Sequence, residues 1–207
     1  VAGCVLAFTA VRGAQAQSDG AGAAAPAANP VVNVAHFAPF GSDVLSTSVT
    51  IRINGTEVFT DFVYGETITN VNVLPAGQYT VEVLPTGSAT VAISGVVTLE
   101  EDGRYTLAAI GDGSNQPLAL AALEDNPAAP PAGSANLRIA HFAPFAPTLA
   151  GTEVDICNDA TGTALPGLTG VPFGVSSPWL AIPAGIYDLS IALAGSNCSG
   201  TALDIAP

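Results

Sequence analysis

The sequence predicts an all-β protein: two tandem antiparallel β-sandwich domains of Ig-like, Greek-key type, the second one incomplete. Three observations predict it. Apolar and polar residues alternate in short runs, which marks half-buried strands. Gly and Pro together make 38 of 207 residues, about 18% against a usual figure of about 12%, so turns are frequent. A hexapeptide also recurs unchanged: Ala35-His36-Phe37-Ala38-Pro39-Phe40 returns 105 residues later as Ala140-His141-Phe142-Ala143-Pro144-Phe145.

The first segment, residues 1–16, is predicted to be a partial signal peptide. The chain contains no Met, so the sequence is read as a fragment without its initiator. Val1–Val11 is an apolar stretch suited to a signal-peptide core and too short to span about 30 Å of hydrocarbon. Ala14 and Ala16 form an Ala-x-Ala site, which predicts cleavage after Ala16. Two alternatives stand beside it: lipidation of Cys4 in a lipobox-like Val1-Ala2-Gly3-Cys4, or an uncleaved anchor. All three put the protein outside the cytoplasm, at the cell surface, in the periplasm or in the medium. Residues 17–30 are rich in Ala, Gly and Pro and are predicted to be a disordered spacer.

Residues 31–124 form the first predicted domain, with about eight strands. Val49, Ile51 and Ile53 share one face. So do Tyr79, Val81 and Val83; Val91, Ile93, Val97 and Leu99; and Tyr105, Leu107 and Ala109. Asn54-Gly55 signals a type I′ hairpin, and Glu100-Glu101-Asp102-Gly103 reads as the turn of another. Residues 125–135 are a proline-bearing linker. Residues 136–207 repeat the first domain's pattern as far as Ala202–Ile205, which match the region near Val91–Ile93. The second copy is therefore expected to lack counterparts of the last two strands, leaving an open sheet edge.

Cys157 and Cys198 form an even pair in the second copy and are expected to be disulfide-bonded, as suits an oxidising compartment. Their counterparts in the first copy are about Arg52 and Thr90, both on the outward face.

The order of these motifs carries a resemblance. A His-x-x-Pro segment opens each module. A hydrophobic strand follows (Val49–Ile53; Val154–Ile156), then Tyr64-Gly65 or Phe173-Gly174, then Leu74-Pro75-Ala76-Gly77-Gln78-Tyr79 or Ile182-Pro183-Ala184-Gly185-Ile186-Tyr187. This arrangement resembles the DUF4397 family over residues 31–123 and 135–207. The resemblance implies exported bacterial or archaeal domains, often in tandem on surface proteins. It carries over no catalytic residues. The family's histidine segment commonly reads His-Ala-Ser-Pro-Asp-Ala-Pro; here Ala38 and Ala143 replace the Ser, and Phe40 and Phe145 replace the Asp.

Function classes narrow by exclusion. A net charge of −13, with four Arg and no Lys, offers no footprint for nucleic acid or anionic lipid. His36 and His141 are the only histidines. Each continues an alternating apolar face (Val32-Val34; Leu137-Ile139), so each ring is expected to point inward, neutral and hydrogen-bonded to backbone beside Pro39 or Pro144. A metal or ligand role and a catalytic role are the alternatives, though one His per module cannot fill a zinc shell. Glu100–Asp102 reads as a solvated charge run, and Asp112-Gly113-Ser114-Asn115 lacks the full calcium-loop pattern. The Pro-Ala-Gly-x-Tyr segments suit type II turns. Phe40, Phe145 and Trp179 are expected in the core or in packing between domains, with an exposed apolar patch as the alternative. No cofactor is expected.

The reading that follows is an exported, non-catalytic surface module, structural, adhesive or ligand-binding, whose partner is an unknown surface protein or glycan. The alternatives are a subunit of an extracellular polymer built by strand-edge pairing, and an exported hydrolase or metal-dependent enzyme using His36 and His141.

Overall fold

A computed structural model describes residues 28–71 and 74–205. The predicted leader and most of the spacer lie outside the described residues. The described residues divide into two compact units, one of residues 28–112 and 117–128, the other of residues 113–116 and 129–205.

The first unit is a sandwich of two four-stranded sheets. Its strands are β1 (Val31–Phe37), β2 (Val49–Ile53), β3 (Thr56–Phe62), β4 (Thr67–Val71), β5 (Gly77–Pro85), β6 (Ile93–Leu99), β7 (Arg104–Ile110) and β8 (Ala119–Glu124). One sheet runs β3-β2-β5-β6 and the other β4-β1-β7-β8. The alternating residues named above meet between them: Val49, Ile51, Val81, Val83, Ile93, Val97, Leu99, Tyr105, Leu107 and Ala109 form one buried cluster with Val32 and Phe62. Val91 is the exception, exposed and outside β6. The cluster encloses a cavity of about 40 Å³ lined by Val34, His36, Phe59 and Leu120 among others. Its walls are almost wholly apolar, so it offers a water few partners.

Asn54 and Gly55 both take positive φ (49° and 79°), the type I′ turn expected between β2 and β3. The second expected hairpin does not form. β6 and β7 lie in different sheets, so Glu100–Gly103 is a crossover between layers. The reason is β1. It pairs in parallel with β7 from Val31↔Arg104 to Phe37↔Ile110 and takes the edge that a β6–β7 hairpin would have used. All other strand pairs of the unit are antiparallel. At the crossover, the Glu100 amide donates to the Tyr105 hydroxyl at 2.9 Å.

The second unit repeats six of these strands: β9 (Ser134–Leu137), β10 (Val154–Asn158), β11 (Thr163–Ala164), β12 (Leu180–Pro183), β13 (Leu189–Leu193) and β14 (Thr201–Ile205). The order β11-β10-β13-β14 reproduces β3-β2-β5-β6, and β12-β9 reproduces β4-β1. Register is reproduced too. Ile51↔Val83 becomes Ile156↔Ile191, Val49↔Phe62 becomes Val154↔Val171, and Ala35↔Thr67 becomes Ala140↔Ser176. Among the described residues no strand corresponds to β7 or β8.

The type II turns expected at the Pro-Ala-Gly-x-Tyr segments are absent. With Pro at the second position, Ala76 and Ala184 would need positive φ, and neither has it. The tyrosine holds the bend instead: the Tyr79 hydroxyl donates to the Pro75 carbonyl and Tyr187 to Pro183, each at 2.8 Å.

Cys157 and Cys198 are disulfide-bonded. Cys157 pairs across β10–β13 with Ser190, at the place where Arg52 pairs with Glu82 in the first unit. There Arg52 instead makes an ion pair with Glu57 at 2.8 Å. The bond closes 41 residues of chain, worth roughly 4 kcal/mol in the chain-entropy account. Reduction should therefore speed amide exchange in β10 and β13 and leave β2 and β5 unchanged, as hydrogen-exchange mass spectrometry would register.

Candidate functional site

The repeated histidine segment builds one constellation per unit. β1 carries His36 inward, as its period-two pattern requires, and the ring is fully buried, at 0% exposure. The chain then bends at Pro39, where the Phe40 amide donates to the Ala38 carbonyl at 3.0 Å. A single 3-10 turn, Leu45–Thr47, brings Thr47 back beneath the ring. The Thr47 carbonyl lies 2.8 Å from His36 Nε2, and the Ala38 amide donates to Nδ1 at 3.3 Å. An amide at Nδ1 requires a lone pair there, so the proton sits on Nε2 and the imidazole is neutral.

Thr47 joins this to a second loop. Its hydroxyl donates to the Val44 carbonyl and accepts from the Tyr64 amide at 2.9 Å. Tyr64-Gly65 then returns to the histidine itself: the Gly65 amide donates to the His36 carbonyl at 2.8 Å, and the His36 amide to the Glu66 carbonyl at 3.0 Å. Gly65 turns the chain at φ 89°, a region that disfavours side chains with a Cβ.

The second unit repeats the histidine and threonine contacts. His141, 1% exposed, places Nε2 at 2.9 Å from the Thr152 carbonyl and takes the Ala143 amide on Nδ1 at 3.5 Å. Thr152 lies in the 3-10 turn Ala150–Thr152, donates to the Leu149 carbonyl and accepts from the Phe173 amide. The Gly174 amide returns to the His141 carbonyl at 2.8 Å. Phe40 and Phe145 sit over the rings at 5.9 and 5.8 Å between centroids. Phe40 packs against the core, whereas Phe145 is partly exposed. Trp179 is half-buried, with the Arg138 guanidinium 4.6 Å from its ring centre.

The inward, backbone-bonded histidines match the sequence expectation. Sequence reading missed Thr47 and Thr152. The signal was present, because Thr47 and Thr152 stand at the same 105-residue offset as the histidines and each lies two residues before an aligned valine. The Glu100–Asp102 run is exposed, as expected. Among the described residues no group of three or more His, Cys, Asp or Glu side chains is placed to hold a metal ion, and no helix is long and apolar enough to cross a membrane.

Burial pushes the His36 ring below its ordinary pKa; its bond to the Thr47 carbonyl and the nearby Glu66 charge oppose this more weakly. Burial lowers His141 likewise, against its bond to Thr152. The unfolded chain's histidines protonate near pH 6.5 while the folded ones resist protonation. Stability from this source is thus complete above pH 6.5 and declines as pH falls below it. Urea denaturation at pH 7.5 and pH 5.5 should show that loss, and a His36→Gln variant should show less of it. Thr47→Val keeps the shape but strips the acceptor of the Tyr64 amide; it should cost about 1–3 kcal/mol in the same assay.

The family model described as Domain of unknown function (DUF4397) matches residues 30–152, that is 123 of 207. The match takes in the whole first sandwich and ends on Thr152, so it includes both histidines and both threonines just described. No curated protein and no solved structure matches the chain. The chain belongs to the DUF4397 family.

Proposed function

We propose that this protein is an exported, non-catalytic module that presents surface outside the cell, for adhesion, for structure or for binding a surface protein or glycan. The observation that carries this reading is the engagement of both nitrogens of each histidine by backbone groups at full burial. A general base needs a nitrogen that substrate can reach, and a metal ligand needs a free lone pair. Here the rings fix loops instead. The loops so fixed display aliphatic side chains: Val44 and Leu45 in the first unit and Leu149 in the second are all more than half exposed. The disulfide and the apolar run Val1–Val11 support export. The net charge of −13 disfavours a nucleic-acid partner.

A His36→Ala variant separates this reading from a hydrolase or metal enzyme. Melting temperature should fall, while turnover of ester, glycoside and peptide substrates stays at the buffer rate in parent and variant alike. Turnover by the parent that His36→Ala abolishes at a temperature where both remain folded would overturn it.

A further inference from the structure

We infer that the cavity in the first sandwich takes the end of an alkyl chain, which enters between the sheets at the end away from the histidine corner. The cavity, of about 40 Å³, is walled from both sheets, by Val34 and Leu107 on one side and by Ile51, Val81 and Val97 on the other. A single water needs roughly 10–15 Å³ of such space, so there is room for a group about three times larger. Close-packed interiors hold few voids of that size. Two lining residues carry polar side chains, His36 and Tyr79, and both are committed to the backbone. The walls therefore suit an occupant without hydrogen-bonding groups.

One end of the space is sealed. His36, Val49 and Phe62 stand there, none more than 4% exposed. Towards the other end Ile53, Phe59, Val71, Leu74 and Tyr79 line the cavity and are only half-buried, so they reach solvent as well. Strand register gathers them. Val71 pairs with Val32 near the start of β1, five residues before Phe37 ends it. Ile53 closes β2 and pairs with Val81, two residues along β5 from Tyr79.

The two edge strands that supply Phe59 and Val71 are both bulged. Asp61 in β3 and Asn70 in β4 take positive φ, 58° and 59°, and the ladders to β2 and β1 slip in register beside them. Neither residue is glycine, so the surrounding structure holds each in place; the Asn70 amide donates to Asn33 Oδ1 at 3.1 Å. Such bulges bend an edge strand and re-aim its side chains, and they gather beside binding sites.

A tip of three or four carbons fills the void, and any longer chain leaves its remaining carbons and headgroup at the half-buried rim. A small free solute and a lipid tail share this chemistry, and the test separates them. The site is independent of where the protein works and of the histidines' role.

The test uses the full chain and methyl NMR. n-Butanol should shift the Val34, Val97 and Leu107 methyl resonances saturably, with about millimolar affinity, and leave Ile156 and Ile191 of the second core unmoved. Octyl glucoside below its micelle concentration is the second probe. The same shifts at lower concentration assign a lipid-like tail; shifts from n-butanol alone assign a small solute. Ala109→Val adds two carbons to the wall and should weaken n-butanol by about tenfold or more. Val81→Ala enlarges the space and should tighten octyl glucoside or n-butanol, whichever binds the parent, which keeps the test open if the filled variant does not fold. No saturable shift from either probe would overturn the proposal. So would equal shifts in both cores, which mark a general solvent effect, or shifts from pressurised xenon alone, which mark a void closed to chains.

Discussion

A buried imidazole that satisfies two backbone groups at once is the constraint on which each unit depends. A loop crossing the end of a sandwich carries amides and carbonyls that no ladder reaches, and leaving them dry and unpaired is costly. His36 covers the Thr47 carbonyl and the Ala38 amide from one ring, and Thr47 passes the connection on to Tyr64. Three stretches of chain, 36–40, 44–47 and 63–66, thereby become one rigid corner. A neutral imidazole suits this task because it donates on one nitrogen and accepts on the other. The same residues do the same work around His141, where the surrounding strands are shorter.

The two units close by different means. The first has eight strands and the cross-sheet core that β7 and β8 complete. The second carries the disulfide. Its Cys157 occupies the position where the first unit places Arg52, which makes an ion pair with Glu57. An exposed ion pair adds little to stability, whereas a covalent loop closure acts on the unfolded state. The staple thus sits in the unit with fewer strands, as in small domains whose cores alone do not suffice.

Much of the fold was legible in the sequence because a period of two is unambiguous when it recurs. Val81 and Val83, or Leu107 and Ala109, can share a face only in a strand. The Asn54-Gly55 turn followed from backbone chemistry alone. Pairing was not legible where it was non-local. Glu100–Gly103 has the composition of a hairpin turn, and nothing near it in sequence reveals that β1 claims the edge of β7. The Pro-Ala-Gly bends misled for a related reason, since the deciding contact comes from the tyrosine four residues on. At the site, the histidines drew notice by rarity. Thr47 and Thr152 did not, because threonine is common and its role needs a carbonyl three-dimensionally placed under the ring.

The parallel pairing of β1 with β7 also bears on how the first unit is assembled. Val31 and Arg104 are paired across 73 positions of sequence, so the earliest strand cannot settle until nearly the whole unit is available. Contacts of such long range slow folding, because loop entropy is lost before they are made. The sheet β3-β2-β5-β6 has only neighbouring or near-neighbouring strands and can form first. The N-terminal strand would then close the structure last, by insertion between β4 and β7. Such an order leaves the first core open until its most distant pairing is made, and it makes completion of the first sandwich a late, cooperative event.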